Sequence, residues 1–344
     1  MNDTQINLRQ QAILNFLSQT PISRSEIETK LQDKYPVSKL TLIRDLKVLS
    51  EQGLVKIQGV GKKTVYISLQ NPLEKFIDKD EYFAYSSGLR MGVKTGFEFG
   101  VFNYLRNLSG LDKKLNYLSV QEKKLDPTIF KREIERFTVE FSWKSSRIEG
   151  NTYSLLETDI LIRQMKEAEG HPREEAVMIL NHKAAIDYIL KNREEFKSLT
   201  LNKVLKIHTL LTGGLGISAA IRTNPVAITG TNYLPLSERD SLIKALQQTI
   251  QIINAVKNPL LKAFIASFMI AYIQPFSDGN KRTGRTLTNA ILIAYDLYPV
   301  SYRDVKEIDY IEAMLLFYEQ NNLYHLKQMF VDQLDFSQKN YFRT

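Results

Sequence analysis

The densest run of reactive side chains is Gln274-Pro275-Phe276-Ser277-Asp278-Gly279-Asn280-Lys281-Arg282-Thr283-Gly284-Arg285. Glycine reaches positive φ and leaves no Cβ to block a ligand. Successive N–H groups in such a turn, followed by a helix start, form an anion site. Arg282 and Arg285 are three apart and share a helix face. Guanidinium forks match phosphate oxygens in pairs. Asp278 offers an acceptor-only carboxylate, suited to Mg²⁺ that keeps several waters. These residue types point to a triphosphate site where a loop becomes a helix. A plainer reading stays open, with Asp278 as an ordinary N-cap, Gly279 in the turn and the arginines solvated.

Two flanking elements must position this run. Residues 263–273 are an apolar run broken only by Ser267 and read as a buried helix or strand; residues 286–295 read as a helix. A second informative stretch lies upstream, where Ser145 and Glu149 stand four apart with Gly150 following. Taken alone, Glu149 reads as the last-turn residue of a surface helix stopped by Gly150.

The twelve-residue run resembles the signature of the Fic (filamentation induced by cAMP) family, His-Pro-Phe-x-Asp/Glu-Gly-Asn-Gly-Arg-x-x-Arg. Two positions depart from it: Gln274 stands at the family's catalytic histidine, and Lys281 stands where glycine is commonest. Family members transfer AMP from ATP to a protein hydroxyl, so the resemblance implies ATP and Mg²⁺ as ligands. It assigns Gly279 and Asn280 to the α- and β-phosphate oxygens, and Arg282 and Arg285 to the polyphosphate. Lys281 and Gly284 complete the nucleotide loop, and Asp278 would hold Mg²⁺. The pattern Ser145-x-x-x-Glu149-Gly150 resembles the inhibitory helix of one Fic class. There the glutamate takes the second arginine of the motif, here Arg285. A death-on-curing branch also carries Asn-Lys-Arg, but Gly279 and Gly284-Arg285 look more like the AMP-transferring branch. Glutamine has no accessible pKa and cannot act as a general base, a role typically worth ~10²–10⁴-fold. Positioning and electrostatics supply most of phosphoryl-transfer catalysis, so the implied site binds ATP yet turns it over poorly.

Residues 213–236 resemble the β-hairpin flap of Fic enzymes. The edge Val226, Ala227 and Ile228 would pair with a protein target by strand addition, or be an ordinary surface hairpin. His208 reads as packed near the site rather than catalytic, and His182 as a surface or satisfied histidine rather than a ligand.

The chain has 344 residues, a net charge of +8 and no cysteine. Disulfides, thiol nucleophiles and thiolate metal sites are therefore excluded. The amino terminus lacks a signal-peptide pattern and no apolar run reaches the ~18 residues of a span. A cytoplasmic protein without membrane contact is expected.

Residues 1–70 carry ten Lys/Arg and six Asp/Glu, hence +4 of the net charge. They read helix, helix, helix, hairpin, with Leu42, Ile43, Leu46 and Leu49 inward on the third helix. The phrase VSKLTLIRDLKVLSEQGLVK resembles a DeoR-type winged helix-turn-helix. That resemblance implies DNA as partner, with Ser38, Lys39, Thr41 and Arg44 entering the major groove and Lys62 and Lys63 on phosphate. Winged helices also dock proteins, so that alternative stays open.

The expected architecture is mostly α: a winged helix over 1–70, a helical linker over 71–125, a Fic-type bundle with a hairpin flap over 126–300, and a helical extension over 301–344. Gly88, Gly92, Gly96 and Gly100 read as a close-approach stripe within the linker. A homodimer is expected by resemblance. Three functions remain in play: a nucleotide-sensing, DNA-binding regulator with little AMP transfer; a transferase held off by Glu149; and a protein-docking pseudoenzyme.

Overall fold

The structure is a computed structural model that describes residues 6–17, 20–32, 34–109, 111 and 126–341. It divides into two units. One runs to Tyr82 and includes Asn322–Tyr324; the other holds Phe83–Asn321 and the residues from His325 onward.

The first unit contains α1 (Leu8–Phe16), β1 (Ile22–Ser23), α2 (Arg24–Leu31), α3 (Lys39–Glu51), β2 (Val55–Gln58) and β3 (Val65–Ser68). The strands form an antiparallel sheet in the order β1-β3-β2. The two-residue β1 was not foreseen; it is too short for period-two patterning to register. Asn7 and Ser23 each close a capping box, with Gln10 and Glu26 respectively. Ile13, Leu14, Leu17, Ile27, Leu31, Leu42, Leu46, Leu49, Val55 and Tyr66 form one core. Ile43 does not join it, being 38% exposed. Leu42, Leu46 and Leu49 make the i, i+4, i+7 stripe, and Ile43 sits one step off that face. Buried Asp45 accepts from Arg9 and from Gln10 Nε2, tying α3 to α1.

Between Phe83 and Leu108 the second unit shows short 3₁₀ turns rather than a helical linker. Gly92 takes φ +68°, which breaks any helix there. Gly96 instead makes an isolated bridge to Leu234. Phe97, Phe99 and Phe102 cluster together, with Phe97 against Tyr272. Residues 112–125 of the expected linker lie outside the described residues.

With α4 (Lys79–Phe83) at the boundary, the helices that follow are α5 (Pro127–Arg147), α6 (Leu155–Gln164), α7 (Arg173–Lys191), α8 (Leu201–Thr212), α9 (Arg239–Ala255), α10 (Pro259–Ile273), α11 (Asn280–Ala294), α12 (Glu307–Gln320) and α13 (Tyr324–Asn340). α10 is apolar on every face and lies at the centre. Asn258 caps it and Pro259 occupies its first turn. α11 packs closely along it. A Cβ on Gly284 would lie 2.7 Å from the Ser267 carbonyl oxygen, so glycine sets the separation of these two helices.

Residues 213–236 do not form the expected hairpin. Among the described residues this segment has no ladder, only the Gly96–Leu234 bridge. Pro225 removes a backbone donor, and side-chain and long-range bonds replace the ladder. Arg222 donates to the carbonyls of Gln274, Asn224 and Leu236, and Tyr233 Oη donates to the Tyr272 carbonyl. No described helix is long and apolar enough to cross a membrane.

Candidate functional site

α10 ends at Gln274, whose backbone is left-handed with φ 52° and ψ 57°. The chain turns through Pro275–Asp278, and Gly279 at φ +81° starts α11. A Cβ there would lie 3.1 Å from Thr212 Cγ2 and 3.4 Å from the His208 ring. Asn280 fastens the turn: its Oδ1 accepts from Phe276 N at 3.0 Å, and its Nδ2 donates to the Phe276 carbonyl and to Gln274 Oε1. Gln274 Nε2 donates to the Ala271 carbonyl at 2.8 Å. Both ends of the Gln274 amide therefore hold the loop.

No side chain caps the N-terminus of α11. Asp278 is not the N-cap; its Oδ1 accepts from Gly279 N and its Oδ2 pairs with Arg282 Nη2 at 2.9 Å. Its side chain is 65% exposed. Arg282 and Arg285 are buried rather than solvated. The Nη1 atom of each is buried with no hydrogen-bond partner among the described residues. Buried orphan donors are rare and ask for an explanation. Two guanidinium ends and an uncapped helix start meet within the first two turns of α11, an arrangement suited to a polyanion.

Glu149 lies just past the end of α5, where Gly150 at φ +96° turns the chain. Its Oε1 is 2.8 Å from Arg285 Nη2 and its Oε2 is 2.9 Å from Lys281 Nζ. Burial pushes the Glu149 carboxyl up, but Arg285 and Lys281 outweigh it and hold it at about 2. Ser145, in the last turn of α5, accepts from Arg285 twice, at Oγ from Nε and at its carbonyl from Nη2. Burial lowers the basicity of Arg285, but Tyr310 and Glu149 raise it, and the net direction is up.

The structure thus gathers Ser145, Glu149, Gln274, Gly279, Asn280, Lys281, Arg282 and Arg285. It separates Gly284, whose place is the α10–α11 contact. Val226 and Ile228 are half-buried and Ala227 exposed, in irregular backbone. His208 stacks on Phe276 at 3.6 Å, and its Nε2 donates to the Asp278 carbonyl. Burial lowers its pKa. Two buried residues carry more than sequence reasoning gave them. Arg222 binds the carbonyl of Gln274, and no spacing marks it. His182, read as surface or satisfied, is buried against Ser145.

In the first unit, Ser38 caps α3 by accepting from Thr41 N, and the two hydroxyls are 3.0 Å apart. Lys39, Arg44 and Lys63 are exposed. Lys62 lies in the turn Gly61–Lys63.

Residues 198–292 match the Fic/DOC family. α8 to the last turn of α11 fall within the match, and Ser145 and Glu149 lie before it. The chain is 26% identical over 193 residues to a protein adenylyltransferase Fic of Nematostella vectensis, spanning 54% of this chain and 44% of that one. It is 31% identical over 199 residues to one of Culex quinquefasciatus, spanning 55% and 38%. The alignments thus cover less than half the length of these curated relatives. A Fic-1 structure from C. elegans superposes with a TM-score of 0.55 at 19% identity, covering 70% of each chain. A Fic domain containing signaling protein from Bacteroides thetaiotaomicron gives 0.55 at 18%, covering 67% and 94%. At these identities the structural likeness speaks to the fold alone, a mostly helical Fic fold.

Proposed function

We propose that the second unit binds ATP through the α11 N-terminus, Arg282 and Arg285, and that AMP transfer to a protein hydroxyl is blocked twice. The carrying observation is Arg285: buried, with Nη1 unpartnered and Nη2 held by Glu149. A carboxylate on that fork competes with a phosphate for the same cation. The second block is Gln274, whose amide is engaged at both ends and offers no base.

Asp278 fits Mg²⁺ as a single exposed carboxylate. Mg²⁺ is commonly held by one or two carboxylates together with substrate phosphates. No group of three or more His, Asp or Glu suited to a metal occurs among the described residues. The ion would therefore arrive with the nucleotide, screening its charge, while Arg282 keeps the Asp278 side chain in place.

The test compares labelled ATP with wild type, Glu149→Gly, and Glu149→Gly with Gln274→His. Label only in the double variant is the expected result. Label on Glu149→Gly alone would show a live transferase restrained by its own glutamate, and would overturn the block at Gln274. A calorimetric titration of Glu149→Gly with ATP and Mg²⁺ that gives no heat would favour a protein-docking pseudoenzyme.

For the first unit we propose DNA as the partner. The supporting observation is the face of α3, where Lys39, Arg44 and Lys47 are exposed beside a capped N-terminus. Binding to duplex DNA should weaken steeply with salt and rank sequences. Affinity that is salt-dependent but sequence-blind would reject a regulator.

A further inference from the structure

His182 is fully buried on α7, with its ring edge-on to Phe141. Its Nδ1 lies 2.8 Å from the Met178 carbonyl oxygen, which can only accept. The proton therefore sits on Nδ1, and Nε2 presents a lone pair. Ser145 Oγ is 2.9 Å from Nε2, so the hydroxyl donates to His182. Burial, reinforced by Arg282 and Arg285 and opposed by the Met178 carbonyl, pushes the imidazolium down to about 3, so the ring stays neutral.

With its proton committed to His182, Ser145 Oγ turns its lone pairs toward Arg285 Nε, 3.0 Å away. The Ser145 carbonyl takes Nη2 at 2.8 Å. Removing Glu149 therefore leaves Arg285 with two of its three hydrogen bonds and with Nη1 in place.

We propose that His182 and Ser145 are positioning residues that hold Arg285 ready for an anionic ligand whether or not Glu149 is engaged. Ser145 lies within the Ser-x-x-x-Glu-Gly pattern, yet it works for the ligand while Glu149 works against it. This rests on the ATP reading above for the identity of the ligand, but not for the geometry.

The experiment uses the full chain with Glu149→Gly as background. Ser145→Ala and His182→Leu are added singly, and His182→Gln serves as the conservative variant that keeps an acceptor facing Ser145. ATP with Mg²⁺ is titrated by calorimetry, and the Arg285 Nε–H is followed by side-chain ¹⁵N NMR, with a thermal melt for each variant. Ser145→Ala and His182→Leu should weaken ATP about tenfold, as expected for a lost charged hydrogen bond. His182→Gln should keep most of the affinity. The Arg285 Nε–H should exchange slowly in wild type and Glu149→Gly, and fast in Ser145→Ala and His182→Leu.

If Ser145→Ala tightens ATP further in the Glu149→Gly background, Ser145 belongs to the inhibition and the proposal falls. An Arg285 Nε–H unmoved by Ser145→Ala overturns the positioning role and leaves the ATP reading standing. Absence of ATP heat in every variant, with the NMR changes as expected, removes the ATP reading and supports the positioning role.

Discussion

The loop at Gln274–Arg285 and the segment 213–236 lie against each other, and they are built in opposite ways. The loop is held mostly by itself. Asn280 bonds Phe276 and Gln274, Gly279 supplies the left-handed turn, and Arg282 reaches Asp278 four residues back. Segment 213–236 is held mostly from elsewhere, through Arg222 to Gln274, Tyr233 to Tyr272 and Leu234 to Thr95. Bonds between near neighbours are written in the local sequence; bonds across 39, 52 or 139 residues are not.

The largest effect should come from Arg222→Ala. Arg222 is 6% exposed and serves three carbonyls. Its loss should destabilise the second unit by about 3 kcal/mol, read by chemical denaturation. Hydrogen exchange should rise across 223–236 but not at the amides of α11; equal loosening of both would erase the contrast.

Gly284→Ala should cost about 1–3 kcal/mol by forcing α10 and α11 apart. Stability should fall with no change in the Asn280 amide shift. A change in nucleotide affinity at unchanged stability would instead return Gly284 to the ligand site.

Lys281→Ala should tighten ATP about threefold, since Lys281 is the second hold on Glu149 and is partly exposed. Weaker binding would make Lys281 a phosphate contact first.

The smallest effect is with pH. The Glu149 carboxyl is depressed from 4.5 to about 2. Its contribution is complete above 4.5 and fades only as pH falls toward 2, so ATP affinity should show no Glu149 step between about pH 5.5 and 8.5. His182 has the reverse consequence. Buried among Arg282, Arg285 and Glu149, it stays neutral down to about 3, whereas the unfolded ring takes a proton near 6.5. The unfolded chain then binds more protons, so the melting temperature should drop as pH falls from 6.5, and His182→Leu should flatten that limb.

Much of this was legible. Residues 263–273 read as a buried helix or strand from their nearly unbroken apolar run, and the resemblance of Ser145-x-x-x-Glu149-Gly150 to an inhibitory helix pointed Glu149 at Arg285, where the fold has it. The hairpin was misread because Val226 and Ile228 alternate with polar neighbours, while alternation says nothing about whether a partner strand exists. Ile43 was misread because it is apolar beside Leu42, although helix geometry admits only one of such neighbours to the stripe. Gly284 was read into the nucleotide loop from its charged neighbours, whereas the Ser267 carbonyl that crowds it is known only from the fold. The helical linker failed on Gly92, whose positive φ is not visible in a four-residue glycine spacing.

Gln274 closes α10 in a left-handed conformation that a non-glycine residue adopts at a cost of roughly 1–3 kcal/mol. Histidine is among the side chains that occur there more often than most. The bend therefore suits histidine as well as glutamine. Gln274→His needs no rebuilding of the backbone beneath it, so the exchange proposed above as a gain of function is a change of one side chain and not of the fold.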